Sequence, residues 1–299
     1  MKPWIKYSLA GLAGLALLAG AGVAYGLMAA DRKMERRVAL SVAAVPYTSD
    51  AAAIERGRYL FSSRGCVDCH GADGAGRAFI DSPEMRVKGP NISPGPGNVV
   101  AAYRPEDWVR AIRHGVKPDG RPLLIMPSED YNRFTDADLA ALVAYVRQLP
   151  PAAGTAAELK LPPPVRVLYG LGLIPDAASR IDHARPPQQP VPEGLTLEHG
   201  RYVANMCIGC HGERLSGGKI PGGPPDWPAA ANLTPGEGTA MTRYPDAKSF
   251  AALMRSGKRA DGSAVAVMPF GSLGQMSDTD LGALHLYLQS LAPLKAGGR

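Results

Sequence analysis

Between residues 7 and 30 the chain has no charged side chain and is rich in Leu, Ala and Gly, a run long enough for one helix across a bilayer. Past residue 50 the pattern changes to short amphipathic stretches, and the same order of stretches occurs twice. Residues 52–61 and 197–203 are short helical candidates. Pro105-Glu106-Asp107-Trp108 opens a second helix, with proline in its first turn and acids near the positive end of its dipole. That helix is expected to bury Trp108, Val109 and Ile112; its counterpart runs from Pro245 through Phe250, Leu253 and Met254. Thr135-x-x-Asp138 and Ser277-x-x-Asp280 are capping-box-like starts of a last helix. Leu139, Leu142, Val143 and Val146 then fall on one face at helical spacing, as do Leu281, Leu284 and Leu288. Gly57 and Gly200 are expected where this last helix crosses the first closely, with Tyr145 and Tyr287 nearby.

The two sets are an internal repeat. Glu55-Arg56-Gly57-Arg58-Tyr59 answers Glu198-His199-Gly200-Arg201-Tyr202. Asn91-Ile92-Ser93-Pro94-Gly95 answers Asn232-Leu233-Thr234-Pro235-Gly236, and Lys117-Pro118-Asp119-Gly120 answers Arg259-Ala260-Asp261-Gly262. The expected organisation is an anchor and basic segment over 1–37, one domain over 48–150, a Pro-rich linker over 151–192 and a second domain over 193–295. Such a linker is semi-rigid. Its stretch 165–171 is too apolar for a plain connector, and is expected to pack on one of the domains or on a partner protein.

All four cysteines lie in two copies of one pattern, Cys66-Val67-Asp68-Cys69-His70 and Cys207-Ile208-Gly209-Cys210-His211. Cys-x-x-Cys-His is the attachment signature of a c-type haem: two thiols add to the vinyl groups and the histidine becomes the proximal ligand. A zinc ribbon would bring its halves together over roughly 15–20 residues, whereas these are 141 apart. A chain of this size also has little need of a disulfide framework. Electron-transfer haems commonly take methionine opposite histidine. Met126 follows its first cysteine by 60 residues and Met268 by 61, each in a Met-Pro pair. The expected sites are therefore Cys66, Cys69, His70 and Met126 for one covalent haem c, and Cys207, Cys210, His211 and Met268 for a second. His70/Met126 and His211/Met268 would ligate the irons. His114, His183, His199 and His285 have no histidine twin in the other half and are expected not to ligate.

The formal charge is +6, but residues 1–37 account for +4, leaving +2 for the rest. Haem propionates would add about four negative charges, so the basic isoelectric point does not point to nucleic acid. The basic cluster after residue 30 is expected to meet anionic lipid instead. An uncleaved anchor is favoured over a cleaved signal, because the apolar run continues past the small residues Ala19-Gly20-Ala21 to Ala30. Gly22 and Gly26 have the small-xxx-small spacing of a helix contact. Lys2 and Lys6 before the run are outnumbered by Arg32, Lys33, Arg36 and Arg37 after it, so positive charge alone would place the carboxyl side in the cytoplasm.

The order of helix, Cys-x-x-Cys-His, Gly-Pro-Asn-Ile loop, helix, Met-Pro loop and final helix resembles the class I cytochrome c fold, twice. With Arg113-His114-Gly115-Val116-Lys117-Pro118-Asp119-Gly120 and the Asn-x-Ser/Thr-Pro segments, it is similar to the cytochrome c subunits of periplasmic alcohol, gluconate and related dehydrogenases. The resemblance implies an all-α chain of two tandem domains after one transmembrane helix, with both domains on the periplasmic side of a bacterial inner membrane, against the charge count. It also implies that the carbonyl of Pro90 accepts the proximal histidine's free N–H; the second half has Ala231 there.

Two six-coordinate irons leave no open position, so outer-sphere electron transfer is expected and no catalytic residue. The expected partners are a dehydrogenase or quinol-oxidising complex and a terminal acceptor such as an oxidase or small cytochrome, together with the lipid bilayer. The alternatives are a dihaem subunit of a haem–copper oxidase or a dihaem enzyme such as a peroxidase or thiosulfate dehydrogenase.

Overall fold

The computed structural model describes residues 2–224 and 226–298; Met1, which the expected 1–37 segment includes, lies outside them, as do Pro225 and Arg299. The order of elements is α1 (Pro3–Glu35), α2 (Ala51–Ser63), α3 (Cys66–His70), β1 (Ala78–Asp81), β2 (Arg86–Lys88), α4 (Pro105–His114), α5 (Asp136–Val146), β3 (Glu158–Lys160), α6 (Pro163–Gly170) and α7 (Ala177–Arg180). The second half follows with α8 (Leu197–Ala204), α9 (Ile208–His211), α10 (Ala247–Ser256), α11 (Phe270–Leu273) and α12 (Asp278–Ser290).

Local chemistry accounts for the helix starts. Thr135 and Ser277 each accept the backbone N–H of the aspartate three residues on, both at 3.0 Å, satisfying one of the orphan donors of α5 and α12. Asp50, Thr196 and Asp246 cap α2, α8 and α10 in the same way. Arg104 precedes Pro105, and the Asp107 carboxylate accepts the Arg104 backbone N–H at 2.9 Å.

Each half has its own apolar core. In the first, Leu60 and Phe61 of α2 meet Trp108, Val109 and Ile112 of α4 and Leu139, Leu142, Val143 and Val146 of α5. In the second, Val203, Phe250, Leu253, Met254, Leu281, Leu284 and Leu288 do the same. The first and last helices of each half cross at backbone contact. A Cβ on Gly57 would stand 2.0 Å from the carbonyl oxygen of Ala141, and one on Gly200 would stand 2.0 Å from that of Ala283, with Tyr145 and Tyr287 beside them.

The chain is mostly helical, with one addition that the sequence reading lacked. Strands of three and four residues form an antiparallel sheet in the order β1-β2-β3, with Val87 opposite Ile80 and Leu159. Such short strands leave almost no alternating pattern to read. Through β3, the stretch after the first half's last helix is tied back to that half.

The apolar stretch 165–171, expected to pack on one of the domains or on a partner protein, packs on α1. Gly26 meets Val167, and Gly170 meets the backbone of Gly26 and Ala30. Small residues on both helices permit this approach, so the Gly26 position of the small-xxx-small pair serves an intramolecular crossing. Residues of the basic cluster also have partners within the protein. Arg36 pairs with the buried Asp176 at 2.6 Å, Lys33 donates to the carbonyl of Tyr169 at 3.0 Å, and Arg37 donates to the carbonyl of Asp119.

The two halves exchange side chains reciprocally. Tyr59 of α2 donates to Asp280 of α12 at 2.5 Å and accepts from the backbone N–H of Ser277 at 2.9 Å. Its repeat equivalent Tyr202 donates to Asp138 of α5 at 2.6 Å and accepts from the N–H of Thr135 at 3.2 Å. Each aspartate also holds a basic residue of its own half, Arg56 on Asp138 at 2.9 Å and His199 on Asp280 at 2.7 Å. Asp280 further receives the buried guanidinium of Arg64 from the first half. Burial alone would raise the Asp280 carboxyl, but the charge of Arg64 and the bonds from Tyr59, Arg64 and His199 outweigh it and hold the group at about 2.

Two expectations follow. Gly57→Ala or Gly200→Ala forces the helices apart and should cost about 3 kcal/mol, seen as a lowered midpoint in chemical denaturation. Asp280→Asn leaves Arg64 buried without its counter-charge and should cost about 3–5 kcal/mol. In the unaltered protein the contribution of Asp280 is complete above a pH of about 4, the ordinary carboxyl value. It is lost as pH falls through about 2, so an acid titration of stability should be flatter over that window in the variant.

Candidate functional site

α2 ends at Ser63, and Gly65 turns the chain in the left-handed region at φ +85° before the single turn of α3. Cysteines at the first and fourth positions of one helical turn lie on the same face. In the second half the turn is entered directly from α8 through a tight helical segment over Asn205–Cys207. Burial pushes the thiols of Cys66 and Cys207 up to about 12 and that of Cys69 up to about 11, so these groups are not thiolates at neutral pH. Among the described residues, the group of three His, Cys, Asp or Glu ligand atoms close enough to hold a metal is Glu193, His199 and Asp280, which includes no cysteine. Its acids are already paired with Arg56 and Arg64.

His70 and His211 are oriented by backbone carbonyls. Nδ1 of His70 donates to the carbonyl of Pro90 at 3.1 Å, and Nδ1 of His211 to that of Ala231 at 2.8 Å. A carbonyl can only accept, so the proton sits on Nδ1 and the lone pair on Nε2, the arrangement of a metal-ligating imidazole. Burial lowers the His70 pKa and so favours the neutral ring, outweighing the Pro90 carbonyl, whose hydrogen bond raises it. The replacement of proline by alanine leaves the acceptor in place.

These acceptor loops are clamped by the asparagines of the repeated Asn-x-Ser/Thr-Pro segments. Asn91 is fully buried; its Nδ2 donates to the carbonyls of Pro96 and Ala152, both at 2.9 Å, and its Oδ1 accepts from the N–H and hydroxyl of Ser93. Asn232 does the same with Leu294 and Thr234. The asparagine thus ties the histidine's acceptor loop to the segment just past the last helix. Its side chain is the shortest that offers two donors and two acceptor lone pairs.

Met126 packs against the same apolar cluster as Cys66 and Val67, and Met268 against the same cluster as Cys207 and Ile208. Val267, just before Met268, holds φ +73°, a costly conformation for a β-branched residue. The donor set suits a covalently attached haem in each half: two thiols on one turn, an imidazole with Nδ1 engaged, and a thioether on the same core. The buried indole N–H of Trp108 has no partner among the described residues, and would suit an acidic group at this core.

Both attachment turns lie at the contact between the halves. Asp130, four residues past Met126, accepts the backbone N–H of Gly209 inside the second attachment turn at 2.7 Å. Ser272, four residues past Met268, donates to Asp68 inside the first at 2.7 Å. Asn205 adds a bond to the carbonyl of Asp130 at 2.7 Å. The other histidines have structural partners: His199 on Asp280, His285 on the carbonyl of Tyr244, and His114 against His183 at 3.1 Å. Asn91→Leu, which strands the carbonyls of Pro96 and Ala152, should cost about 2–3 kcal/mol and loosen His70, checked by denaturation and by the imidazole resonances.

Two family models match the chain. The family described as cytochrome c oxidase, cbb3-type, subunit III matches residues 52–146, and the cytochrome c family matches residues 198–292. Among curated proteins, the fructose dehydrogenase cytochrome subunit of Gluconobacter japonicus is 30% identical over 275 residues, covering 84% of this chain and 55% of the relative. The cytochrome c subunit of the quinone alcohol dehydrogenase of Gluconobacter oxydans (strain 621H) is 28% identical, covering 83% of this chain and 57% of the relative. The gluconate 2-dehydrogenase cytochrome c subunit of Pantoea cypripedii is also 28% identical, covering 80% and 60%. The chain spans little more than half the length of these relatives. Paired thiols, oriented histidine and packed methionine recur in both matched segments, and the chain carries two cytochrome c domains, one in residues 52–146 and one in residues 198–292.

Proposed function

We propose that this chain is a membrane-anchored dihaem cytochrome c that relays electrons on the periplasmic side of a bacterial inner membrane, from a dehydrogenase or a quinol-oxidising complex to a terminal acceptor. The reading rests above all on the repetition of one donor set on two cores whose attachment turns meet at one interface. Cys66 and Cys69 would hold one haem and Cys207 and Cys210 the other, with His70 and Met126, and His211 and Met268, as the side chains that ligate the irons. Each bound haem would supply a one-electron redox couple.

The protein's part would be to supply two side-chain ligands to each iron and to hold the two groups in fixed relation. Pro90 and Ala231 orient the imidazoles and raise their basicity through the Nδ1 proton. The reciprocal bonds of Asp130 with Gly209 and of Ser272 with Asp68 tie each attachment turn to the ligand loop of the other half. A rigid interface of this kind suits transfer between the two groups without rearrangement. α1, a helix long and apolar enough to cross a membrane, would hold the relay beside membrane-bound donors.

The match of residues 52–146 to the cbb3-type oxidase subunit family favours a second reading, a subunit of a respiratory oxidase. Co-purification with oxidase activity after mild detergent extraction would support that one; co-purification with a dehydrogenase would support the first.

The ligand assignment is tested with Met126→Ala and Met268→Ala. Each should open one of the two irons, so that about half of the haem of the reduced variant binds carbon monoxide and one of two redox steps moves to lower potential. Rapid binding of carbon monoxide by the unaltered reduced protein, or unchanged spectra in either variant, would overturn it.

A further inference from the structure

The stretch 161–175 carries one charged side chain, Arg166, among fifteen residues. It includes α6 and the turn after it, and it leaves large apolar side chains in the open: Leu168 is 40% exposed, Leu171 50% and Leu173 67%. Its place on α1 says what surrounds them. α6 crosses α1 at Gly26 and Ala30, the two buried residues of that helix. Both belong to the uncharged run of residues 7–30. At the helical rise, Gly26 lies about 6 Å inside the end of that run. α1 is open there too, with Tyr25 and Met28 exposed.

A polar layer lies immediately beyond this crossing. Arg166 pairs with Asp31 at 2.5 Å, Lys33 donates to the carbonyls of Tyr169 and Ile174, and Arg36 pairs with Asp176, which also accepts from Tyr169 at 2.8 Å. Small residues lock α6 to α1 on one side of that layer, and ion pairs lock it on the other. The arrangement matches a helix seated at a membrane boundary, apolar side chains inward and charges at the water level.

We propose that α6 and the turn through Ile174 lie in the outer boundary of the bilayer, with Leu168, Leu171 and Leu173 among the acyl chains. The inference rests on α1 as a membrane span. The occupant is lipid because the crossing lies within the uncharged run, at a depth that a soluble partner does not reach. The chain then meets the membrane through two elements locked together, and the first domain, joined to this unit through β3 and the Arg180–Glu129 pair, keeps a set height and tilt above it.

The test uses the full-length, haem-loaded chain in phospholipid nanodiscs containing a phospholipid with a diazirine in its acyl chain, with adducts mapped by mass spectrometry. Peptides of α1 and of 161–175 should be labelled alike, and roughly tenfold more than the peptide carrying the exposed Leu195 and Leu197, the ratio set by one leucine's transfer preference. In a Leu168→Asn/Leu171→Asn/Leu173→Asn variant the 161–175 label should fall to the level of that control, with the label on α1 and the haem absorbance unchanged. Labelling of α1 without labelling of 161–175 overturns this inference alone; absence of label from both overturns the anchor as well. If the segment crosslinks to a protein instead of lipid in native membranes, the face belongs to a protein partner and the proposal fails.

Discussion

Each half depends on the contact of two helices without side chains between them. Where Gly57 meets Ala141 and Gly200 meets Ala283, no Cβ intervenes, and α2 lies directly on α5 and α8 on α12. That closeness sets two further positions. The end of α2 or α8 delivers the attachment turn to the edge of the core, and the start of α5 or α12 brings its capping aspartate beside the first helix. Asp138 and Asp280 therefore serve at once as helix-terminal acids and as acceptors for Arg56 and His199 across the crossing. The tyrosines of the opposite half complete them.

The exchange of Tyr59 and Tyr202 makes the interface approximately twofold, although it joins two parts of one chain. Equivalent residues meet non-equivalent partners, as in a symmetric dimer. Symmetry is broken where the two domains differ in chemistry. Arg64, which reaches Asp280, has no charged counterpart, since Asn205 bonds instead to backbone carbonyls. Pro90 is answered by Ala231, and among the described residues the small sheet belongs to the first half alone. The strain at Val267 adds a difference beside Met268 itself. Two domains built on one plan thus have different surroundings at equivalent positions.

Around the membrane-facing end, basic residues that look like a lipid-binding cluster are largely engaged within the protein. Asp176 is buried and would be costly unpaired; Arg36 and Tyr169 satisfy it, and that binds α1, α6 and the start of α7 together. The orientation of α1 relative to the domains is consequently set by hydrogen bonds and close packing, and not by a loose tether.

Much of this was legible in one dimension. The attachment turns, the spacing to Met126 and Met268, the caps at Thr135 and Ser277 and the tight glycines all depend on short-range stereochemistry, which a linear pattern records directly. The asparagine clamps repeated visibly, but their meaning lay in carbonyls about sixty residues away. The strands were too short to show a period. By itself the sequence determined two copies of one cofactor-binding plan and an apolar leading helix, because covalent attachment, capping and helical amphipathicity are local requirements. Only the tertiary structure decided that Tyr59 seeks Asp280, that Asp130 and Ser272 grip the opposite attachment turns and that 165–171 lies on α1. Those pairings join residues 79 to 221 positions apart, where complementary burial and geometry choose the partner and no spacing along the chain encodes it.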